Sequence, residues 1–316
     1  MTFFSGKEFS HRQAAAAALF VTILWSTSWV LIKFGLGSLP ALTFAGLRYT
    51  MAWLCLLPFC LRTGGLQVLA NSSRRDWMLL VALGLVYYAG AQGAQYVSLA
   101  YLPAVTVNLL ISFTVLVVAL LSKALLGEAP TAWQWGGIIL ALAGGIVFFH
   151  PVQVPGSQAA GWAAAGVCLA CNAVGVILGR EINRRQNMPA LHVTGASMGV
   201  GALALLGAGL AFQGLPPVGW KEIGIILWLA VVNTALTFTI WNHAQRILTA
   251  TEISVINNAM MVEIPILAVF VLGERLTLQN LAGMGIVIAG ILCVQLAGNQ
   301  KSPDNLQGAA RQADIS

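Results

Sequence analysis

Charged side chains are scarce in this sequence of 316 residues. Only 8% of the residues are charged, against about 25% in an average soluble domain, and 58% are hydrophobic. A soluble fold of this size needs far more polar surface to cover its core, and a disordered chain has the opposite composition. The composition therefore predicts a polytopic protein embedded in a lipid bilayer.

The sequence also lacks the usual signs of several other protein classes. The 16 basic residues are spread over the whole chain, so the net charge of +6 forms no patch for nucleic acid. The five cysteines lie in apolar stretches without the spacing of a disulfide framework, and the four histidines show no metal spacing. No G-x-x-x-x-G-K-[ST] motif is present. We expect no cofactor, no bound metal, no nucleic-acid partner and no enzymatic activity.

Ten apolar runs are long enough to cross a bilayer, which takes about 20 helical residues. They cover residues 14–32, 41–61, 77–99, 104–126, 133–149, 159–179, 191–212, 223–244, 253–272 and 281–296. The connections between them are mostly short, so no soluble domain is expected. The polar tail, residues 298–316, is predicted to be disordered.

The basic residues between the runs predict the orientation of the chain. Twelve fall on one side: Lys7, Arg12, Arg62, Arg74, Arg75, Lys123, Arg180, Arg184, Arg185, Arg246, Lys301 and Arg311. Three fall on the other: Lys33, Lys221 and Arg275. Because cytoplasmic loops carry the excess of Lys and Arg, both termini are predicted to be cytoplasmic.

The second half of the chain repeats the first at a shift of 146 residues. The register is set by Leu126-Gly127-Glu128, Gly137 and Gly144, which meet Leu272-Gly273-Glu274, Gly283 and Gly290. Each half holds five predicted spans, an odd number, so the halves must cross the membrane in opposite directions. The predicted architecture is an all-α membrane protein with two inverted-topology five-helix repeats, residues 1–150 and 151–297, around a central midplane cavity.

Polar side chains recur at matching helical positions in the two halves. The third span carries Tyr87 and Gln95, and the eighth carries Asn233, Thr237 and Trp241; the fourth and ninth spans carry Asn108, Ser112 and Asn258. Such residues can be hydrogen-bonding glue between helices, or they can line a cavity. Their recurrence as stripes favours a two-fold-related cavity.

Two charged residues lie inside predicted spans, Arg48 in the second and Glu263 in the ninth. At about 1.5 Å per helical residue, both lie at similar depth. An intramembrane carboxylate is a functional candidate, so Glu263 is a candidate to bind a proton or the amino group of a substrate. The alternatives are a structural pair with Arg48 and separate snorkelling of the two side chains.

Several short motifs are distinctive: Trp25-Ser26-Thr27-Ser28-Trp29, Leu47-Arg48-Tyr49, Ala100-Tyr101-Leu102-Pro103-Ala104, Leu126-Gly127-Glu128, Leu248-Thr249-Ala250 and Leu272-Gly273-Glu274-Arg275-Leu276-Thr277. In their order and spacing they resemble the motifs of the drug/metabolite transporter superfamily and, within it, the EamA family. The resemblance covers the chain from Trp25 to Leu296. It implies transport of small metabolites, often amino-acid export, and adds Trp25, Ser28, Trp29 and Asn172 to the cavity.

These features together predict a secondary transporter that works by alternating access in a bacterial inner membrane. Amino acids or related compounds are the favoured substrates and export the favoured direction, with protons as a candidate coupling ion and with a monomer or weak homodimer as the expected state. Other solutes, such as nucleosides, sugars or amphipathic drugs, stay open as alternatives, as do an integral-membrane enzyme and a channel. Glycines, Pro103 and Pro265 are the predicted bending points.

Overall fold

The computed structural model describes residues 9–151, 158–272 and 277–313, and their regular structure is helical. The helices are α1 His11–Gly35, α2 Ala41–Arg62, α3 Gly65–Ala70, α4 Arg74–Leu83, α5 Gln92–Tyr101, α6 Ala104–Ser112, α7 Thr114–Leu126, α8 Ala132–Phe149, α9 Ala159–Arg184, α10 Ala190–Gln213, α11 Trp220–Ala230, α12 Thr237–Ala244, α13 Ala250–Asn257, α14 Met260–Leu272 and α15 Leu278–Ala313. A first π segment, Gly84–Ala91, joins α4 to α5, and a second, Val231–Leu236, joins α11 to α12.

Helical structure coincides with each of the ten predicted spans. In the described part of the chain, eight helical stretches are long and apolar enough to cross a membrane, and Ala132–Phe148 is a shorter apolar helix. The protein is therefore a multi-pass membrane protein, and the count of ten spans stays a prediction. The membrane-length part of α15 is Leu278–Leu296, although the helix continues to Ala313. The domain boundaries and the disorder of the tail also stay predictions, and residues 273–276, with Glu274 and Arg275, lie outside the described residues.

Local chemistry explains where several helices begin. The first turns of α1, α4, α8 and α13 are closed by capping boxes, in which a Ser or Thr hydroxyl accepts from the backbone three residues on. The side chain of that later residue accepts in return from the cap backbone, so each box pairs two N–H groups that a helix leaves free. Pro40, Pro103 and Pro189 precede α2, α6 and α10, where a missing N–H costs nothing.

The packing of α8 against α15 shows how the two halves are related. A methyl group on Gly137 would lie 2.7 Å from the carbonyl oxygen of Gly290, and one on Gly144 would lie 2.8 Å from that of Gly283. Gly137 and Gly283 are repeat mates, as are Gly144 and Gly290. Gly137 therefore faces Gly290, the repeat mate of Gly144, and Gly144 faces Gly283, the repeat mate of Gly137. This arrangement requires the two helices to run antiparallel about a two-fold axis.

Four helix interruptions also occur at matching positions. The two π segments lie in the third and eighth spans, and each overlaps the other when shifted by 146 residues. In the fourth span the helix is broken at Phe113, and in the ninth at Asn258 and Ala259. Pro265 lies inside α14, and its role as a bending point of the ninth span stays a prediction. The interruption of the helix at Asn258 and Ala259 is not marked by a proline.

Candidate functional site

A small central cavity lies between the halves, with a volume of about 50 Å³. Seven of the predicted site residues line it: Trp25, Ser28, Trp29, Tyr87, Gln95, Asn108 and Asn172. Arg48 lines it as well. Helices from both repeats supply the wall, as expected for a site at the interface of inverted halves.

The aromatic part of the wall is held rigidly by its neighbours. The ring centroid of Trp25 lies 5.0 Å from that of Phe238 and 4.8 Å from that of Trp241. Its indole Nε1 donates to Thr237 Oγ1 over 3.0 Å. Tyr87 meets the same Phe238 edge-to-face, at 5.8 Å. Because two tilted ring contacts and a buried hydrogen bond fix the orientation of Trp25, the cavity offers an ordered apolar surface.

Five predicted site residues are not among those that line the cavity. Thr237 and Trp241 lie directly behind Trp25 and hold it, and both are almost fully buried. Asn233 is fully buried, and its Nδ2 donates to the carbonyl of Leu24 and, over 2.9 Å, to Thr27 Oγ1. The eighth span therefore supports α1 from behind, and its predicted stripe holds the site in place.

The remaining two predicted site residues outside the cavity lining are Ser112 and Asn258, and they mark the symmetry axis. Asn258 Nδ2 donates to the backbone carbonyl of Ser112 over 3.3 Å. The two residues are repeat mates at a shift of 146, and a residue can contact its own mate only at the two-fold axis. The breaks in the fourth and ninth spans thus meet each other next to the cavity.

Six lining residues were missed by the sequence prediction: Tyr49, Gln92, Ile111, Phe238, Asn257 and Met260. Four of them form two pairs of repeat mates, Gln92 with Phe238 and Ile111 with Asn257. Gln92 and Phe238 were missed because each follows a π segment, which inserts an extra residue and rotates the helix face that follows. Ile111 and Asn257 are each adjacent to a predicted stripe residue and were not counted with it. A search for mates one residue away from each predicted stripe would have found both pairs.

Arg48 is 3% exposed and is held by three hydrogen bonds. Nε donates to Thr234 Oγ1 over 2.7 Å, and the two terminal nitrogens donate to the Tyr96 hydroxyl and to the Asn233 carbonyl, each over 3.0 Å. The guanidinium carbon also lies 5.5 Å from the centre of the Tyr49 ring. All of these groups are neutral, so the bonds fix the position of the cation without cancelling its charge.

Glu263 is bound by α1 and not by Arg48, so the alternative of a structural pair between the two charges is wrong. Thr22 Oγ1 is hydrogen-bonded to one carboxyl oxygen and Ser26 Oγ to the other, each over 2.8 Å. Both hydroxyls are fully buried and lie one helical turn apart on α1. Two residues at equal depth in the membrane can point in different directions around their helix axes, and Glu263 points towards α1. Glu263 is not among the residues that line the cavity.

A polar cluster closes the arginine-rich end of the bundle. Arg180 Nε donates to Glu128 over 2.8 Å, and a terminal nitrogen of the same arginine donates to the Gln245 carbonyl over 2.7 Å. The second oxygen of Glu128 accepts from the backbone N–H of Ala250 over 3.1 Å. Glu128 thus connects the end of the fourth span to the sixth and ninth spans, across the boundary between the repeats.

Comparison with known proteins gives a consistent assignment. A model of the EamA-like transporter family matches twice, over residues 12–149 and 161–296. A probable amino-acid metabolite efflux pump of Salmonella typhimurium is 26% identical, with 89% of this chain and 94% of the relative covered. The uncharacterized transporter YoaV of Bacillus subtilis is 22% identical, with 86% and 92% covered.

A solved protein crystal structure shares the fold, with a TM-score of 0.74 at 20% identity. The similarity covers 90% of this chain and 98% of that one. The two family matches divide the chain into the same halves that the glycine packing relates by a two-fold axis. The chain belongs to the EamA-like transporter family.

Proposed function

We propose that this protein is a secondary transporter that moves amino acids or related small metabolites out of the cell by alternating access. The observation that carries the proposal is the central cavity, which is built from both inverted halves at their two-fold axis. The probable amino-acid metabolite efflux pump among its relatives supports the substrate class and the direction. The excess of basic residues supports an inner-membrane protein with both termini in the cytoplasm.

The cavity must widen for a substrate to bind. Its volume of about 50 Å³ holds a few water molecules, whereas pockets for small-molecule ligands measure roughly 300–1,000 Å³. The four matched interruptions surround the cavity, and a helix bends most easily where its regular hydrogen bonding is broken. Rocking of the halves at these points opens the cavity to one side at a time.

Glu263 supplies a site for the coupling ion, and the count of hydrogens favours a proton. Thr22 Oγ1 lies 2.7 Å from the Leu19 carbonyl and 2.8 Å from Glu263, yet it carries a single hydrogen. A protonated Glu263 donates to Thr22, which then donates to Leu19, while Ser26 donates to the other carboxyl oxygen. An ionised Glu263 leaves one of these contacts without a hydrogen.

The position of Glu263 separates this site from the substrate cavity. Its helix α14 packs against α1, α6 and α15, whose described charged or titratable side chains are His11, Arg12, Lys33 and Cys293, and none of these bonds to Glu263. Helix α1, to which Glu263 is hydrogen-bonded, carries Trp25, Ser28 and Trp29 on its cavity side. Loss of the proton therefore changes how α1 is held, and α1 passes this change to the cavity wall.

Counterflow in proteoliposomes tests the transport function. Vesicles are loaded with one unlabelled solute from a panel of amino acids, amines, nucleosides and sugars, and entry of the same labelled solute is followed. A carrier gives a transient, saturable accumulation for at least one solute. Ohmic current would indicate a channel and chemical conversion of the solute an enzyme, and no accumulation with any solute would refute the proposal.

A further inference from the structure

Arg48 has hydrogen-bonding capacity that the protein leaves unused. A guanidinium carries five N–H groups, and the structure pairs three of them, one on each nitrogen. One N–H remains on each of the two terminal nitrogens. Such a pair can bind both oxygens of one carboxylate, the planar partner that arginine recognises best. The side chain borders the cavity, so a ligand there can reach it.

The charge of Arg48 is also uncompensated within the described part of the chain. No carboxylate forms an ion pair with it, and none of the side chains that line the cavity is acidic. Glu263, the nearest candidate from sequence, is bound to Thr22 and Ser26 instead. A buried cation without a counter-charge is costly, and a negatively charged ligand removes that cost when it binds.

We propose that Arg48 binds the carboxylate of the transported metabolite, so that the substrates carry one carboxylate and an apolar body. The single positive charge matches a monocarboxylate and does not match a phosphate ester or a dicarboxylate. The apolar body packs on Trp25, Trp29 and Phe238, which line the same cavity. The side-chain amides of Gln95 and Asn108 are available to accept from an amino group. This inference rests on the proposed transport function and names its substrate class.

Matched pairs of solutes test the proposal on the unaltered protein. The counterflow panel contains leucine with leucinamide, and 4-methylpentanoate with its amide, together with 3-methylbutylamine, a nucleoside and a sugar. We expect every transported solute to carry a carboxylate, and each amide to be transported about ten-fold or more slowly than its acid, because an amide leaves a charged donor unpaired. Equal rates for an acid and its amide, or counterflow of the amine, nucleoside or sugar alone, would overturn the role of Arg48 and leave the transport function standing. No counterflow at all would overturn both.

Variants of Arg48 give a second, independent readout. Arg48→Gln removes the charge, and Arg48→Lys keeps the charge without the planar fork. Arg62→Gln is the matched control, since Arg62 lies on the same helix and is exposed. In folded protein we expect the acid-to-amide rate ratio to fall towards one in Arg48→Gln, to stay above one in Arg48→Lys and to be unchanged in the control. An unchanged ratio in folded Arg48→Gln contradicts the proposal; if that variant does not fold, the ratio in Arg48→Lys and the solute pairs on the unaltered protein decide.

Discussion

Adjacent glycines at the start of α8 offer a sharp test of the two-fold packing. A methyl group added to Gly137 would lie 2.6 Å from a Val294 methyl carbon and 2.7 Å from the Gly290 carbonyl oxygen. A methyl group added to Gly136 meets nothing within 4 Å. The repeat mate of Gly136 is already an alanine, Ala282.

The expected effects of the two substitutions have opposite signs. Gly137→Ala forces backbones apart, and overpacking of this kind costs about 1–3 kcal/mol. Gly136→Ala gains about 0.5–1 kcal/mol, because alanine loses less conformational entropy than glycine in a helix. The two variants should therefore differ by roughly 1.5–4 kcal/mol in stability. Thermal unfolding of the purified protein in one detergent measures this difference, and equal melting temperatures would refute the close antiparallel packing of α8 on α15.

Three further predictions concern the site. Glu263→Gln can reproduce the hydrogen bonds of a protonated glutamic acid to α1, so counterflow should persist while a pH gradient no longer drives accumulation. Glu222→Gln, at a partly exposed position, is the control, and continued pH-driven accumulation in Glu263→Gln would contradict proton binding there. Glu128→Gln loses its ion pair with Arg180 and should lower the free energy of unfolding by about 1–3 kcal/mol, measured by thermal unfolding. An unchanged melting temperature would show that the ion pair does not stabilise the protein. Trp25→Phe keeps the ring but loses the bond to Thr237, so the concentration for half-maximal counterflow should rise roughly five-fold, and an unchanged value would argue against a rigid wall.

The architecture was largely predictable from the sequence because it depends on repeated, one-dimensional signals. Apolar length placed a helix at each predicted span, and the register of Gly137 and Gly144 on Gly283 and Gly290 identified the inverted repeat. The same glycines prove to be positions where the backbones of α8 and α15 approach each other closely. A glycine that recurs in register thus carried structural information that apolar matches alone do not contain.

The details of the site were less predictable because they depend on rotation about each helix axis. Gln92 and Phe238 escaped notice because each follows a π segment that shifts the helical phase. The similar depth of Arg48 and Glu263 suggested a pair as one alternative, yet Glu263 faces α1. Thr237 lies on the predicted face of the eighth span, but it supports Trp25 from behind and does not itself line the cavity. The periodicity of polar residues predicts which face of a helix they share, but interatomic distances are needed to identify the groups they bind.

Alternating access to the cavity is the central claim, and Ser28 reports on it most directly. Ser28 lines the cavity and is 4% exposed. The experiment replaces the five native cysteines by alanine, introduces Ser28→Cys, and applies a membrane-impermeant thiol reagent to right-side-out and to inside-out vesicles. We expect labelling from both sides, at two rates that a transported carboxylate changes in opposite directions. Labelling from one side only, or equal rates with and without that solute, would contradict alternating access.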